Sequence, residues 1–130
     1  MAQAQGTTGT MTGRIGGEIG TAAVAGDFVL GAGWGSTRSA TVLAGSNAQR
    51  GVLTVTASGS SYAQATATIV FTFPDGAWAS APFGLVTVTS DSAIDEGHVV
   101  VTTTTTAATL TFSVLPVSTK IYIFRYLFVG

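Results

Sequence analysis

The chain ends in a stretch, Lys120-Ile-Tyr-Ile-Phe-Arg-Tyr-Leu-Phe-Val-Gly130, that is apolar at both parities. Its β-branched and aromatic content predicts a strand. Side chains alternate across a strand. One face therefore carries Tyr122, Phe124, Tyr126 and Phe128, and the other carries Ile121, Ile123, Leu127 and Val129 around a single Arg125. A strand with one wet face would be polar at one parity. This one calls for cover on both sides: one from the core of its own domain, the other from a second subunit, the N-terminal segment or another protein. The expected subunit interface is accordingly Ile121, Ile123, Arg125, Leu127 and Val129.

Composition points the same way. The chain has 130 residues, enough for one domain with a real core. Charged residues are 8% of the chain, against the ~25% usual in soluble domains. So few charges protect a monomer poorly against association. The net charge of −1 offers no basic cluster for a nucleic-acid backbone or an anionic membrane surface. There is no cysteine, and hence no disulfide framework and no thiol nucleophile. The start, Met1-Ala-Gln-Ala-Gln-Gly, lacks the basic and apolar regions of a signal peptide, and no apolar run approaches ~20 residues.

Residues 1–26 read as an extended arm. Gly13-Arg-Ile-Gly-Gly-Glu-Ile-Gly20 is too rich in glycine for a helix, and Arg14, Ile15, Ile19 and Val24 are its candidate contacts with another surface. Residues 27–130 read as one all-β domain. Strands are expected at Asp27–Leu30, Ser39–Leu43, Val52–Ala57, Ala65–Phe73, Phe83–Thr89, His98–Thr105, Ala108–Leu115 and Ile121–Val129, with turns such as Pro74-Asp-Gly76 between them. The apolar parity of Phe83–Thr89 changes between Leu85 and Val86, which predicts a bulge. Eight short strands imply a jelly-roll-like antiparallel β-sandwich. Parity assigns its core to Leu53, Val55, Ile69, Phe71, Phe73, Leu110, Phe112, Val114, Tyr122, Phe124, Tyr126 and Phe128.

The residues argue against an enzyme. His98 is the single histidine, and no Gly-x-Ser-x-Gly elbow accompanies it. Asp91, Asp95 and Glu96 gather in one loop, but without the alternating spacing of an EF-hand. Gly31-Ala-Gly-Trp-Gly35 lacks the Lys-Ser/Thr of a phosphate loop. No cofactor or metal is expected. Trp34, Tyr62 and Trp78 fall in or beside loops, where aromatic rings can stack on sugars or fill a subunit contact. Arg125 needs a carboxylate or carbonyl partner if it is covered; Asp27, Asp75 and Glu18 are the candidates.

From about residue 31 to the end, the chain resembles the C-terminal β-domain of bacteriophage head-fibre, tail-fibre and capsid decoration proteins. The residues that carry the likeness are Gly33-Trp-Gly35, Gln49-Arg-Gly-Val-Leu-Thr-Val-Thr56, Ala67-Thr-Ile-Val-Phe-Thr-Phe73, Ala81-Pro-Phe83, Thr102–Thr106, Leu110-Thr-Phe112 and Tyr122–Gly130. The resemblance implies a homotrimer on the outer surface of a virion. An arm of about 26 residues is too short for a fibre shaft, which favours a decoration (cement) protein bound to the major capsid protein or another virion protein. The alternative is a receptor-binding knob that recognises host glycans through Trp34, Tyr62 and Trp78.

Overall fold

A computed structural model describes residues 20–63, 67–89, 99–113 and 116–130. After a 3-10 turn at Ala25–Asp27 it contains β1 (Phe28–Leu30), β2 (Ser39–Val42), β3 (Arg50–Thr56), β4 (Thr68–Thr72), β5 (Phe83–Val88), β6 (Val99–Thr103), β7 (Ala107–Phe112) and β8 (Ile121–Val129). They form two four-stranded antiparallel sheets, ordered β1-β4-β7-β6 and β2-β3-β8-β5. The all-β sandwich expected from the strand spacing is the observed architecture. The connections β2–β3 and β6–β7 are hairpins within a sheet, and the others pass from one sheet to the other.

The core forms where the inward parities of the two sheets meet. Leu53, Val55, Ile69, Phe71, Phe73, Leu110, Phe112, Tyr122, Phe124, Tyr126 and Phe128 are all buried; Val114 lies outside the described residues. The aromatic rings pack edge to face or tilted. Phe112 and Phe124 lie 5.3 Å apart, Phe71 and Tyr126 5.1 Å, and Phe73 and Phe128 5.4 Å. Such pairs add ~0.5–1.5 kcal/mol each beyond the burial of their area. β8 sits between β3 and β5 and is bonded on both edges, so its inward aromatic row runs through the middle of the core.

The structure revises three expectations. There is no bulge in β5: its register with β8 runs unbroken from Phe83↔Val129 to Val88↔Phe124. The parity change arises because β5, like β8, is apolar on both faces, with Val86 and Val88 packed on the core and Phe83 and Leu85 pointing away from it. The second revision concerns the arm. Residues 20–26, placed by sequence in the arm, lie on the body: the Thr21 amide donates to Asp75 Oδ1, Ala22 bridges Asn47, and the Ala23 amide donates to the Ser46 carbonyl. Third, the two segments Ala65–Phe73 and Ala108–Leu115 are strand over Thr68–Thr72 and Ala107–Phe112, while residues 64–66 and 114–115 lie outside the described residues.

Gly84 shows how tightly the core is closed. It faces inward on β5, and a Cβ there would stand 2.6 Å from Phe128 Cε1 and 2.7 Å from Val101 Cγ1. Only a hydrogen fits between these groups. Gly84→Ala is expected to destabilise the domain by about 1–3 kcal/mol through overpacking, read as a lowered urea midpoint at unchanged m-value; a midpoint equal to that of the native chain would show that the core can yield there.

Candidate interaction surface

The inward faces of the two sheets are alike, but their outward faces differ. On β1-β4-β7-β6 the outward side chains are Val29, Thr68, Val70, Thr72, Thr109, Thr111, Val100 and Thr102. This is a threonine-rich face suited to water. On β2-β3-β8-β5 the register places Phe83 opposite Val129 and Leu85 opposite Leu127. These four side chains form one apolar block. Phe83 is 86% exposed, Leu85 61%, Val129 57% and Leu127 44%. Phe83 alone presents on the order of 150 Å² of aromatic surface. Contiguous exposed apolar patches larger than a few hundred Å² mark interaction sites.

The block continues along β8. Arg125 stands opposite Val52 on one side and Thr87 on the other, Ile123 stands opposite Thr54, and Ile121 stands opposite Thr56. Ile121, Arg125, Leu127 and Val129 are exposed and Ile123 is half-buried. Among the described residues, nothing in the chain closes over this face. The five residues expected at the interface thus share one outward row, and the structure adds Phe83 and Leu85 to them. The register of β5 with β8 places both; their parity alone also fits the bulge expected there.

Arg50 also points outward, opposite Leu127 and one step along β3 from Val52. Arg50 and Arg125 are therefore diagonal neighbours on one face. They line an open groove of about 330 Å³ with Leu43, Ala44, Gly45, Ser46, Gly51, Val52 and Tyr126. Under the groove, the Tyr126 hydroxyl donates to the Asn47 carbonyl at 2.9 Å, and Ser46 Oγ accepts the Val52 amide at 3.1 Å. Asn47 Oδ1 accepts the amides of Gln49 and Arg50. These bonds fix the loop 43–50 against β8. Gly51 is needed for that fit, because a Cβ would lie 2.4 Å from the Tyr126 hydroxyl oxygen.

The remaining candidates separate. Trp34 is fully buried, its indole N–H donating to the Thr68 carbonyl and its ring standing edge-on to Phe112, Tyr122 and Phe124. It is a core residue and cannot stack on a sugar from the surface. Tyr62 is half-buried beside it, bridged to Trp34 and donating to the Gly59 carbonyl. Trp78 is half-buried against Phe73. Val24 is exposed on the body. Arg14, Ile15, Ile19, His98, Asp91, Asp95 and Glu96 lie outside the described residues. Of the carboxylates named for Arg125, Asp27 accepts the Val24 amide and Asp75 the Thr21 amide, and Glu18 lies outside the described residues.

Among the described residues there is no group of three or more metal-ligating side chains, and no helix is long and apolar enough to cross a membrane. No family model, curated protein or solved structure matches the chain.

Burial pushes the Tyr126 phenol well above its ordinary value; the Ser46 hydrogen bond opposes this and the Asp27 charge adds to it. A raised tyrosine contributes stability that is complete below the unfolded pKa of about 10 and is lost as pH rises through the folded value. Stability should therefore fall as pH climbs past about 10, and less steeply in Tyr126→Phe. At neutral pH the same substitution should cost about 1–3 kcal/mol, because it strands the Asn47 carbonyl. Urea titrations of both proteins at a series of alkaline pH values test both statements; parallel curves would exclude Tyr126 from the alkaline transition.

Proposed function

We propose that this chain is a structural protein of a bacteriophage particle, a trimeric decoration protein that binds the outside of the head and stabilises it. The observation that carries the reading is the uncovered apolar block Phe83, Leu85, Leu127 and Val129 on the outer face of β2-β3-β8-β5. A surface so poor in charge and so rich in large apolar groups is suited to being covered by protein. The virion setting rests on the resemblance of residues 31–130 to phage surface β-domains.

In this reading β8 is shared between two jobs. Its inward row holds the sandwich together, and its outward row, with Phe83 and Leu85 of β5, packs on a sister subunit. Arg125 stands within that row, between Ile123 and Leu127. A head-to-tail arrangement, as in a closed trimer, joins two different patches and keeps the Arg125 side chains of neighbouring subunits from meeting across a two-fold axis, where like charges repel. The arm, with Arg14, Ile15 and Ile19, and the exposed Val24 at its root supply the contact with the shell. A protein that binds only the assembled shell stabilises it by mass action.

Two measurements test this. Light scattering on the purified chain should give three times the protomer mass. Leu127→Asp and Phe83→Asp should give the protomer mass, each with unfolding free energy within about 0.5 kcal/mol of an unassociated protomer, as for other exposed sites. A native chain that stays monomeric at high concentration refutes the self-association. Separately, a chain lacking residues 1–19 should remain trimeric yet lose occupancy on purified heads; undiminished occupancy would remove the arm from the shell contact.

A further inference from the structure

Arg50 and Arg125 frame a slot of about the thickness of an aromatic ring, and we infer that in the assembled protein it receives Phe83 of a neighbouring subunit. The inference rests on the self-association proposed above and names the second patch that a head-to-tail contact requires. Arg50 pairs with Leu127 and Arg125 with Val52, so the two arginines are diagonal neighbours on the outer face of β2-β3-β8-β5. Side chains so related stand about 7 Å apart. A flat ring in van der Waals contact on both faces takes up the same space, ~3.5 Å to each side. Leu43, Ala44 and Val52 line the groove beside the guanidiniums. Both arginines, Leu43 and Ala44 are exposed.

Ring and slot lie on one face but on opposite sides of β8. Phe83 stands on the edge strand β5, and the groove opens on the side of β2 and β3. The two patches therefore cannot meet within one chain. When three such faces turn toward a common axis, the β5 side of one meets the β2–β3 side of the next. Phe83, at 86% exposure, is the most exposed large apolar side chain among the described residues. The chemistry matches as well as the shape. A guanidinium is planar and weakly hydrated and stacks on aromatic faces, where the ring quadrupole attracts the cation. Like charges on neighbouring positions of a sheet repel; a ring between them offers each a favourable partner. Insertion also covers both faces of the ring, which a flat contact between two apolar blocks does not. The arginines in this account select the partner surface, and Leu85, Leu127 and Val129 close around the inserted ring.

A double-mutant cycle tests the pairing, read as the monomer–trimer equilibrium in sedimentation. Phe83, Arg50 and Arg125 are all exposed on the protomer, so substitutions there spare the core. Phe83→Leu keeps an apolar side chain and removes the aromatic face. Arg50→Gln together with Arg125→Gln removes both cations. In the native background the arginine substitutions should weaken each subunit contact about fivefold. In the Phe83→Leu background they should change it by less than about twofold, because the ring they serve is already gone. The sign is decisive, since arginines that only repel would give tighter assembly when removed. Association that is unchanged or strengthened by their loss overturns the proposal, and so does an equal loss in both backgrounds. Those results leave the trimer itself standing. A native chain that never assembles removes instead the self-association on which the slot depends.

Discussion

The whole structure depends on the way β8 is held. Among the described residues it is the longest strand, and it is bonded along both edges, to β3 and to β5. Its inward row of Tyr122, Phe124, Tyr126 and Phe128 meets rings from the opposite sheet and from the turn at Trp34. A strand fixed in this way cannot slip by one residue, because a slip would exchange the aromatic row for Ile121, Ile123, Arg125, Leu127 and Val129 and bring a charge into the core. Arg125 therefore sets the register as well as marking the outer face. The bonds from the Tyr126 hydroxyl to Asn47 and from the Phe128 amide to the Gln49 carbonyl extend the same constraint to the loop 43–50, and through Ala22 and Ala23 to the root of the arm.

Much of this was legible in the sequence, because a period of two is a strong signal when one face is aromatic. The eight strands and the described members of the twelve-residue core list follow from parity alone; the buried Phe28 and Trp34 do not. Phe83 and Leu85 were not placed, because a strand that is apolar at both parities and a bulged strand look the same along the chain; only the register with β8 separates them. Trp34 was misplaced for a different reason. Flanking glycines suggest a surface turn, yet Gly35, with φ of +102° and no room for a Cβ beside the Ser58 carbonyl, lets that turn lie close on the sandwich, where the Trp34 indole is buried. Arg50 could not be linked to Arg125, because seventy-five positions of chain separate them and only strand pairing makes them neighbours.

The two outer faces give the molecule its polarity. Threonine on β1-β4-β7-β6 keeps strand geometry and binds water without charge. Phenylalanine, leucine and isoleucine on β2-β3-β8-β5 do not, and leaving them exposed lowers solubility. The proposed decoration function reads this asymmetry as an assembly code: one face for water and one for a sister subunit.

Hydroxyl-radical footprinting tests that asymmetry most directly, because its control lies on the same molecule. Val29 and Val100 are exposed on the threonine-rich face, and Phe83, Leu85 and Leu127 on the other. As protein concentration rises from dilute to assembled, oxidation of Phe83, Leu85 and Leu127 should fall several-fold while that of Val29 and Val100 stays constant. Oxidation of all five that is independent of concentration would contradict the account.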